Sequence, residues 1–419
     1  MISRVDRGGN GQSVFAPPFF RIFIPFGLAY FMSIMLGSAN AIMSRILVEE
    51  FHLSSYDLGA MSSAYLLSFG AAQIPLGIML DRLGPRKSLF PLLMIASAGC
   101  LLFSRAGGFF SLTLSRALMG IGFCGCLMGP YKAFADWIDA GKLPVAYSLQ
   151  ALVGGIGGIA ATKPLALAFE AVAWRDIFVI FSIAIAAMAV VIRAAAPPKK
   201  PRKTEEAVSL ARQFCAMAGF LGDARFWRIA PVLITTQGVL FTYLYLWLGP
   251  WMRDVAKFPE NSVEFYMMTA SVGSAAGYFL NGMLADWLKK REILSWSGLY
   301  LCSGLILTVS LGVIAFFNDR SVPLLWSLVM FMSTMTMIAF PLMRLEFSDD
   351  EVGRVLSLLN FSIFAVSFAM QWFVGAVLEL YPTADGVFSP GGYRTSMLVI
   401  TALNAVAAAH LFFCLRRNS

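Results

Sequence analysis

The sequence is built from twelve long apolar stretches separated by short polar segments. A helix that crosses a membrane needs roughly 20 apolar residues, so twelve helices would take up roughly 240 positions of the chain. The stretches do not alternate apolar and polar residues over about ten positions, as the strands of a membrane β-barrel do. The pattern therefore predicts an all-α membrane protein with twelve transmembrane helices.

Composition excludes several other classes of protein. Of the 419 residues, 58% are hydrophobic and 13% are charged, whereas about a quarter of the residues in a soluble domain are charged. The six cysteines lie almost all within apolar stretches, and the two histidines, His52 and His410, are far apart. These residues cannot build a disulfide framework or a zinc site, and they offer no nucleophile–base pair. We therefore expect no metal, no cofactor and no enzymatic activity.

The positions of the cations predict the topology. Of the 32 Lys and Arg residues, seven would lie on one side of the membrane, two (Arg116 and Lys163) within helices, and 23 on the side of both termini. By the positive-inside rule, both termini are then cytoplasmic. We expect a multi-pass protein of the cell inner membrane. Because the net charge of +8 is concentrated in the loops of one side, it does not indicate a nucleic-acid partner.

The longest polar interruption divides the twelve helices into six and six. It opens with AAPPKKPRK, whose prolines and cations exclude a membrane-spanning helix. Apolar residues recur later in it every three or four positions, which predicts a surface-lying amphipathic helix through Ala207, Leu210, Phe214, Met217 and Leu221. The predicted organisation is a cytoplasmic tail at 1–19, a six-helix bundle at 20–194, a cytoplasmic linker at 195–227, a second six-helix bundle at 228–414, and a cytoplasmic tail at 415–419.

An internal repeat relates the two halves. GIMLDRLGPRK at 77–87 follows the second helix and GMLADWLKKRE at 282–292 follows the eighth, which places Asp81 and Asp286 205 positions apart. The first copy resembles the signature that the major facilitator superfamily carries between helices 2 and 3, and the resemblance extends over all twelve helices. It implies two pseudo-symmetric six-helix bundles that rock about a central site and so give alternating access.

The resemblance also implies a gating role for this signature. A carboxylate and several cations at a helix end can form salt bridges between helices and hold one state closed. Asp81 would face Arg354 at the start of helix 11, and Arg82 or Arg86 would reach Asp136 at the end of helix 4. The alternative is that the cations only enforce topology. The predicted gating residues are Gly77, Asp81, Arg82, Gly84, Arg86, Lys87, Asp136, Asp286 and Arg354.

Arg116 and Lys163 are the sharpest local signal, because a cation inside the membrane usually faces a cavity or a partner. Each lies about six residues outward of the middle of its helix, at similar depth on helices 4 and 5, which suits an anionic solute. The alternative is that both side chains extend toward the surface or pair with a carboxylate such as Glu170. Lys163 follows the glycine-rich run GGIGGIAAT and precedes Pro164, so a closely packed, interrupted helix is expected there.

In the family that the chain resembles, helices 1, 4, 7 and 10 line the cavity, with help from helices 2, 5, 8 and 11. The further binding candidates on that basis are Tyr30, Tyr131, Gln237, Tyr243, Asn360 and Gln371, each of which could equally hold helices together. We identify no acidic residue inside a helix, so a proton relay is disfavoured. Uniport or anion exchange is favoured, and a proton or a counter-anion is the coupling ion to test.

These features together predict a secondary active or facilitative transporter of a small, anionic organic solute. It would act in the lipid bilayer by alternating access, as a monomer. An efflux pump for amphipathic or drug-like compounds is the alternative, favoured by the aromatic and methionine content. An alternative of another class is a non-transporting membrane sensor or assembly protein with the same fold.

Overall fold

The computed structural model describes residues 17–138, 143–196, 217–317, 319, 322–382 and 387–417, and these residues are almost wholly helical. The two pieces of the chain on either side of residues 197–216 are called here the N-terminal half and the C-terminal half. Most of the predicted amphipathic linker helix falls within 197–216, outside the described residues, and it stays a prediction.

The described part of the N-terminal half contains two bent helix pairs. Helices α1 and α2 meet at 47°, and α6 and α7 meet at 49°, so each pair follows the path of one broken span. The helices of this half are α1 (Pro17–Ser38), α2 (Asn40–Phe51), α3 (Ser55–Ser104), α4 (Phe109–Phe123), α5 (Met128–Trp137), α6 (Leu143–Ala160), α7 (Lys163–Ala171) and α8 (Trp174–Ala195).

The C-terminal half is built in a similar way, with two spans that change helix type along their length. A π-helical turn at Tyr243–Trp247 joins α9 to α10, and a 3-10 turn at Thr336–Ile338 joins α13 to α14. The helices of this half are α9 (Ala224–Thr242), α10 (Leu248–Asp254), α11 (Glu260–Lys290), α12 (Trp296–Phe317), α13 (Leu325–Met335), α14 (Ala339–Glu346), α15 (Asp349–Glu379) and α16 (Pro390–Arg417).

The described helices supply eight to ten membrane spans, and the predicted count of twelve stays a prediction. By length and apolar composition, the described helices supply eight spans, or ten if each bent pair is one span. Helix α3 has 50 residues, enough for two spans, and it is interrupted at Gly84. Helix α11 has 31 residues and is long enough to cross a membrane, although its sequence is less apolar than those of the other spans. If α3 supplies two spans and α11 one, the described segments fit the expected twelve spans of an all-α membrane fold.

Gly84 separates the second span from the third. Its backbone has φ 75° and ψ 165°, inside an element that is otherwise helical. L side chains rarely adopt this conformation, so glycine is needed here. Pro85 follows at once, and its fixed φ suits the first turn of a new helix. This glycine of the signature therefore has a structural role that does not depend on gating.

The glycine-rich run of α6 allows close helix approach, as predicted. A Cβ at Gly154 would lie 2.2 Å from Cε1 of Tyr30, and a Cβ at Gly157 would lie 2.5 Å from the carbonyl oxygen of Phe31. Only residues without a side chain let α6 pack this closely on α1. The predicted interruption is present too, because α6 ends at Ala160 and α7 begins beside Pro164.

The start of α9 is fixed by a charged cap. The Asp223 carboxylate accepts a hydrogen bond of 2.8 Å from the backbone N–H of Arg225, as an N-cap residue does. The Arg225 guanidinium also donates to this carboxylate and lowers the pKa of Asp223. A further bond of 3.1 Å from Arg225 to the carbonyl oxygen of Glu346 ties α9 to the end of α14.

Candidate functional site

A cavity of ≈ 200 Å³ lies between the two halves. Its wall combines residues of α1, α3, α5 and α6 with residues of α9, α11 and α15 and of the two non-α turns. Because both halves contribute, relative movement of the halves would reshape the cavity. This position suits a site that opens to alternate sides.

Hydroxyl groups dominate the polar part of the cavity wall, and the described lining residues include no charged side chain. Aromatic rings of Phe69, Phe241 and Phe364 supply much of the rest. The Ser271 hydroxyl is buried and has no hydrogen-bond partner. The wall can offer several hydrogen bonds to a small polar molecule. The hydroxyl-bearing lining residues are Tyr30, Tyr65, Tyr131, Tyr245, Tyr278, Ser33, Ser38, Ser271 and Ser274.

Arg116 lies just behind this wall. It is 1% exposed, and its guanidinium lies 4.8 Å from the centre of the Tyr65 ring. It donates to the carbonyl oxygens of Leu36 at 2.7 Å and Gly37 at 3.0 Å. The break between α1 and α2 removes the helical partners of these carbonyl groups, so Arg116 satisfies them. No carboxylate among the described residues pairs with it, and its Nε has no acceptor.

No described contact joins Lys163 to Arg116. Lys163 begins α7 and is half-buried. Its charge acts on the carboxylate of Glu264. Glu264 belongs to α11 of the other half and is 3% exposed. The expectation that Lys163 and Arg116 share one anion stays a prediction.

The other six binding candidates divide into two groups. Tyr30, Tyr131 and Asn360 line the cavity. Gln237, Tyr243 and Gln371 are fully buried and are not among its lining residues.

The three buried candidates make few hydrogen bonds with their side chains. Gln237 donates to the carbonyl oxygen of Ser333 at 2.7 Å, which joins α9 to α13. The Tyr243 hydroxyl and both amide atoms of Gln371 have no partner. A role for them in binding stays a prediction.

The signature residues form their described contacts within the N-terminal half. Lys132 of α5 donates to the Asp81 carboxylate. Arg86 donates to the carbonyl oxygen of Arg193, at the end of α8, at 2.5 Å.

The other predicted gating residues differ in exposure. Arg82, Lys87 and Asp286 are exposed, Asp136 is half-buried, and nothing would contact a Cβ at Gly77 within 4 Å. The guanidinium of Arg354 lies 5.8 Å from the Phe220 ring. The pairings expected for Asp81 with Arg354, and for Arg82 or Arg86 with Asp136, stay predictions.

The opposite end of the bundle joins the two halves directly. The Ser55 hydroxyl donates to the Glu379 carboxylate at 2.9 Å and to the carbonyl oxygen of Gly375 at 3.1 Å. The backbone N–H of Tyr56 donates to the same carboxylate, and Arg253 donates to the Ser44 hydroxyl. These hydrogen bonds hold α2 and α3 of one half against α10 and α15 of the other. We call this region the sealed end, and we take the structure to be closed there.

Sequence reasoning missed several residues of the site. Tyr65, Tyr245 and Tyr278 line the cavity. Each is a tyrosine within an apolar stretch of the sequence, as the predicted candidates Tyr30, Tyr131 and Tyr243 are, so the same pattern could have identified them. Two buried carboxylates were also missed, Asp254 and Glu264. Both lie close to a helix end in the sequence, and only the packing of neighbouring helices buries them.

Comparison with known proteins agrees with this architecture. The Major Facilitator Superfamily model matches residues 26–371. The chain is 24% identical to "Probable sulfoacetate transporter SauU" of Cupriavidus necator, over 82% of this chain and 76% of that protein. It is also 24% identical to "Probable L-galactonate transporter" of Escherichia coli, over 65% and 64%. A nitrate/nitrite transporter, NrtP of Nostoc punctiforme, is 30% identical over 34% of this chain and 28% of that protein.

Solved structures share the fold at low sequence identity. A bacterial homologue of the human lysosomal transporter Spinster, in an inward-facing and occupied conformation, has a TM-score of 0.76 at 15% identity and covers 96% of this chain and 97% of its own. The nucleoside transporter NupG has a TM-score of 0.73 at 15% identity, over 93% and 99%. The predicted family, the all-α membrane fold and the absence of enzymatic function are confirmed. The chain belongs to the major facilitator superfamily and is a secondary transporter of small solutes.

Proposed function

We propose that the solute is a small organic anion and that it binds in the central cavity, where Arg116 supplies the positive charge. The observation that carries this proposal is a buried guanidinium behind the cavity wall with no carboxylate partner among the described residues. Two carbonyl groups and the face of Tyr65 lower the cost of burying this charge but do not cancel it. A solute anion would supply the missing negative charge.

The size of this effect follows from the geometry. The guanidinium lies 4.8 Å from the Tyr65 ring centre, and a solute on the far face of the ring adds about 3.5 Å. At a separation of roughly 8 Å and an effective dielectric constant of about 20, the attraction is about 2 kcal/mol. This corresponds to roughly a 30-fold preference for an anion over a neutral molecule of the same shape.

The names of the relatives support the same solute class. Sulfoacetate carries a carboxylate and a sulfonate, galactonate carries a carboxylate, and nitrate and nitrite are anions themselves. The hydroxyl-rich wall adds donors that oxyanions accept, including the unpartnered hydroxyl of Ser271. Three relatives named for anions and a cavity backed by one buried cation are consistent with a common chemistry.

The test compares Arg116→Gln and Arg116→Lys with a matched control. Arg175→Gln removes the same charge from the same half, but Arg175 is paired with Glu50 and lies away from the cavity. Binding of sulfoacetate, galactonate and neutral galactose is measured by calorimetry on the purified protein. We expect Arg116→Gln to weaken binding of the two anions roughly 30-fold, while Arg175→Gln retains the affinity. Arg116→Lys should lie between the two, because lysine keeps the charge but cannot reach both carbonyl groups in the same way.

Two outcomes would contradict the proposal. If Arg116→Gln binds the anions as tightly as the wild type, Arg116 has only a structural role, which is to satisfy the carbonyl groups at the break between α1 and α2. Tight binding of neutral or cationic amphiphiles by the wild type, in the absence of anion binding, would favour the efflux pump. If Arg116→Gln does not fold, the Arg116→Lys variant is measured at neutral and at alkaline pH. Lysine can lose its charge at alkaline pH and arginine cannot. Anion binding by this variant that is lost only at alkaline pH would therefore support the proposal.

We also propose a monomer in the cell inner membrane with both termini cytoplasmic. The distribution of 23 cations on the side of the termini and seven on the other supports this orientation. Cysteines introduced at Tyr56 and at Lys290, one at a time, should react with an impermeant maleimide from the outside only at Tyr56. The opposite pattern would reverse the orientation. Uptake driven by an imposed pH gradient alone would make a proton the coupling ion instead of a counter-anion.

A further inference from the structure

The C-terminal copy of the repeat has contacts unlike those of the first copy. Asp286 stands 205 positions after Asp81, and Arg291 stands in the place of Arg86. In the first copy, Asp81 accepts from a lysine of α5 and Arg86 donates to α8. In the second copy, Lys289, Lys290 and Arg291 are exposed and form no ion pair among the described contacts, even with Asp286.

Two tryptophans replace the missing carboxylate partners. The Lys289 ammonium lies 4.4 Å from the centre of the Trp296 ring, and the Arg291 guanidinium lies 5.4 Å from the centre of the Trp287 ring. Such cation–π contacts hold the cations near an aromatic surface without neutralising them. The indole N–H of Trp296 also has no hydrogen-bond partner. The cluster therefore presents three exposed cations that form no ion pair among the described contacts, beside the exposed carboxylates of Asp286 and Glu292.

An apolar stripe on α11 leads to this cluster. Phe279, Met283 and Trp287 follow one another at intervals of four and are 57%, 63% and 48% exposed. Residues four apart share one face of a helix, and Arg291 continues the same row. In a membrane-spanning protein, this exposed apolar face is covered by acyl chains. The row thus passes from a surface for acyl chains to a surface for a negatively charged head group.

We propose that an anionic phospholipid binds at this surface, with its acyl chain along Phe279, Met283 and Trp287 and its phosphate against Lys289, Lys290 and Arg291. The favourable effect of cations at a helix C-terminus would explain the charges alone. It does not explain the two tryptophans, the exposed stripe in register with them, or the absence of ion pairs that the first copy of the repeat does form. The second copy has thus become a lipid site, whatever the transported solute is.

The expected selectivity can be estimated. Each cation near a membrane surface contributes about 1 kcal/mol toward an anionic lipid, which is about fivefold in affinity. Removing one of the three charges should therefore cost about fivefold, and removing all three should cost roughly 100-fold. Exchange of lysine and arginine at these positions should cost little, because the charge is kept.

The test uses the full chain in vesicles of phosphatidylcholine with and without one-fifth phosphatidylglycerol. Native mass spectrometry counts retained phosphatidylglycerol, and a titration gives its affinity. The variants are K289Q/K290Q/R291Q and the charge-preserving K289R/K290R/R291K. The control is R105Q/R344Q/R394Q, which removes three exposed cations from other places on the surface.

We expect the wild type, the charge-preserving variant and the control to prefer phosphatidylglycerol, and K289Q/K290Q/R291Q to lose that preference. Equal losses in the control would show a general effect of net charge and would overturn the site. Retention of the preference in K289Q/K290Q/R291Q would overturn it as well. If that variant does not fold, each of the three single glutamine variants should bind phosphatidylglycerol about fivefold more weakly than the wild type. Release of the lipid by millimolar inorganic phosphate would show a free-anion site instead of a lipid site.

Discussion

A methyl group added at Gly375 should open the sealed end. Gly375 of α15 faces Gly59 and Ser55 of α3, and a Cβ at this position would lie 2.5 Å from the Ser55 carbonyl oxygen. Backbone on both sides leaves no flexible side chain to move away. Because α3 and α15 belong to different halves, the clash acts only while the halves are together at this end. Gly375→Ala should therefore destabilise the closed arrangement and leave each half intact.

The magnitude can be bounded. Overpacking at a well-packed contact costs typically 1–3 kcal/mol, so the ratio of closed to open molecules should fall by roughly 5- to 150-fold. Replacing glycine by alanine inside a helix also gains about 1 kcal/mol of helix propensity. That gain applies equally to the open and closed states. Gly353→Ala, in the same helix with nothing within 4 Å of its Cβ, is the matched control.

The assay is a distance measurement between the halves at this end. Spin labels at Phe110 and Leu380, both exposed, report the separation by pulsed electron resonance in a background without the native cysteines. Gly375→Ala should shift the distance distribution to longer values, and Gly353→Ala should match the wild type. Identical distributions for both variants and the wild type would refute the assignment of this glycine contact as part of the closure.

Three further outcomes are expected. Gly84→Ala should lower the free energy of unfolding by about 1–3 kcal/mol, because the region at φ 75° and ψ 165° is essentially restricted to glycine. Gly77→Ala, with open space around its Cβ, should be neutral or slightly stabilising in thermal melts. Asp81→Asn should slow solute uptake by proteoliposomes and leave expression unchanged, since it removes an exposed ion pair; normal uptake would remove the gating role. Arg225 lowers the pKa of Asp223, so this carboxylate contributes stability above its ordinary pKa of about 3.9, and that stability is lost as the pH falls through the lower pKa of the folded state. Arg225→Gln should therefore reduce the dependence of the melting temperature on acid pH. An unchanged dependence at acid pH would contradict this account.

The candidate site was only partly predictable from the sequence. Tyr30, Tyr131 and Asn360 were predicted from the helices that the family uses, and they line the cavity. Arg116 was singled out by the cost of its charge, and it is buried beside the wall. Its two carbonyl partners could not be predicted, because they exist only where α1 breaks and turns toward α4.

The sequence by itself determined the helical membrane architecture and the family, and it predicted the division into two repeated halves. These follow from long apolar stretches, the placement of cations and a local signature, all of which are properties of neighbouring residues. The tertiary structure alone decided which polar groups face the cavity and which end is sealed. Such facts depend on the rotation of each helix about its axis and on contacts between residues more than a hundred positions apart, where local periodicity carries no information.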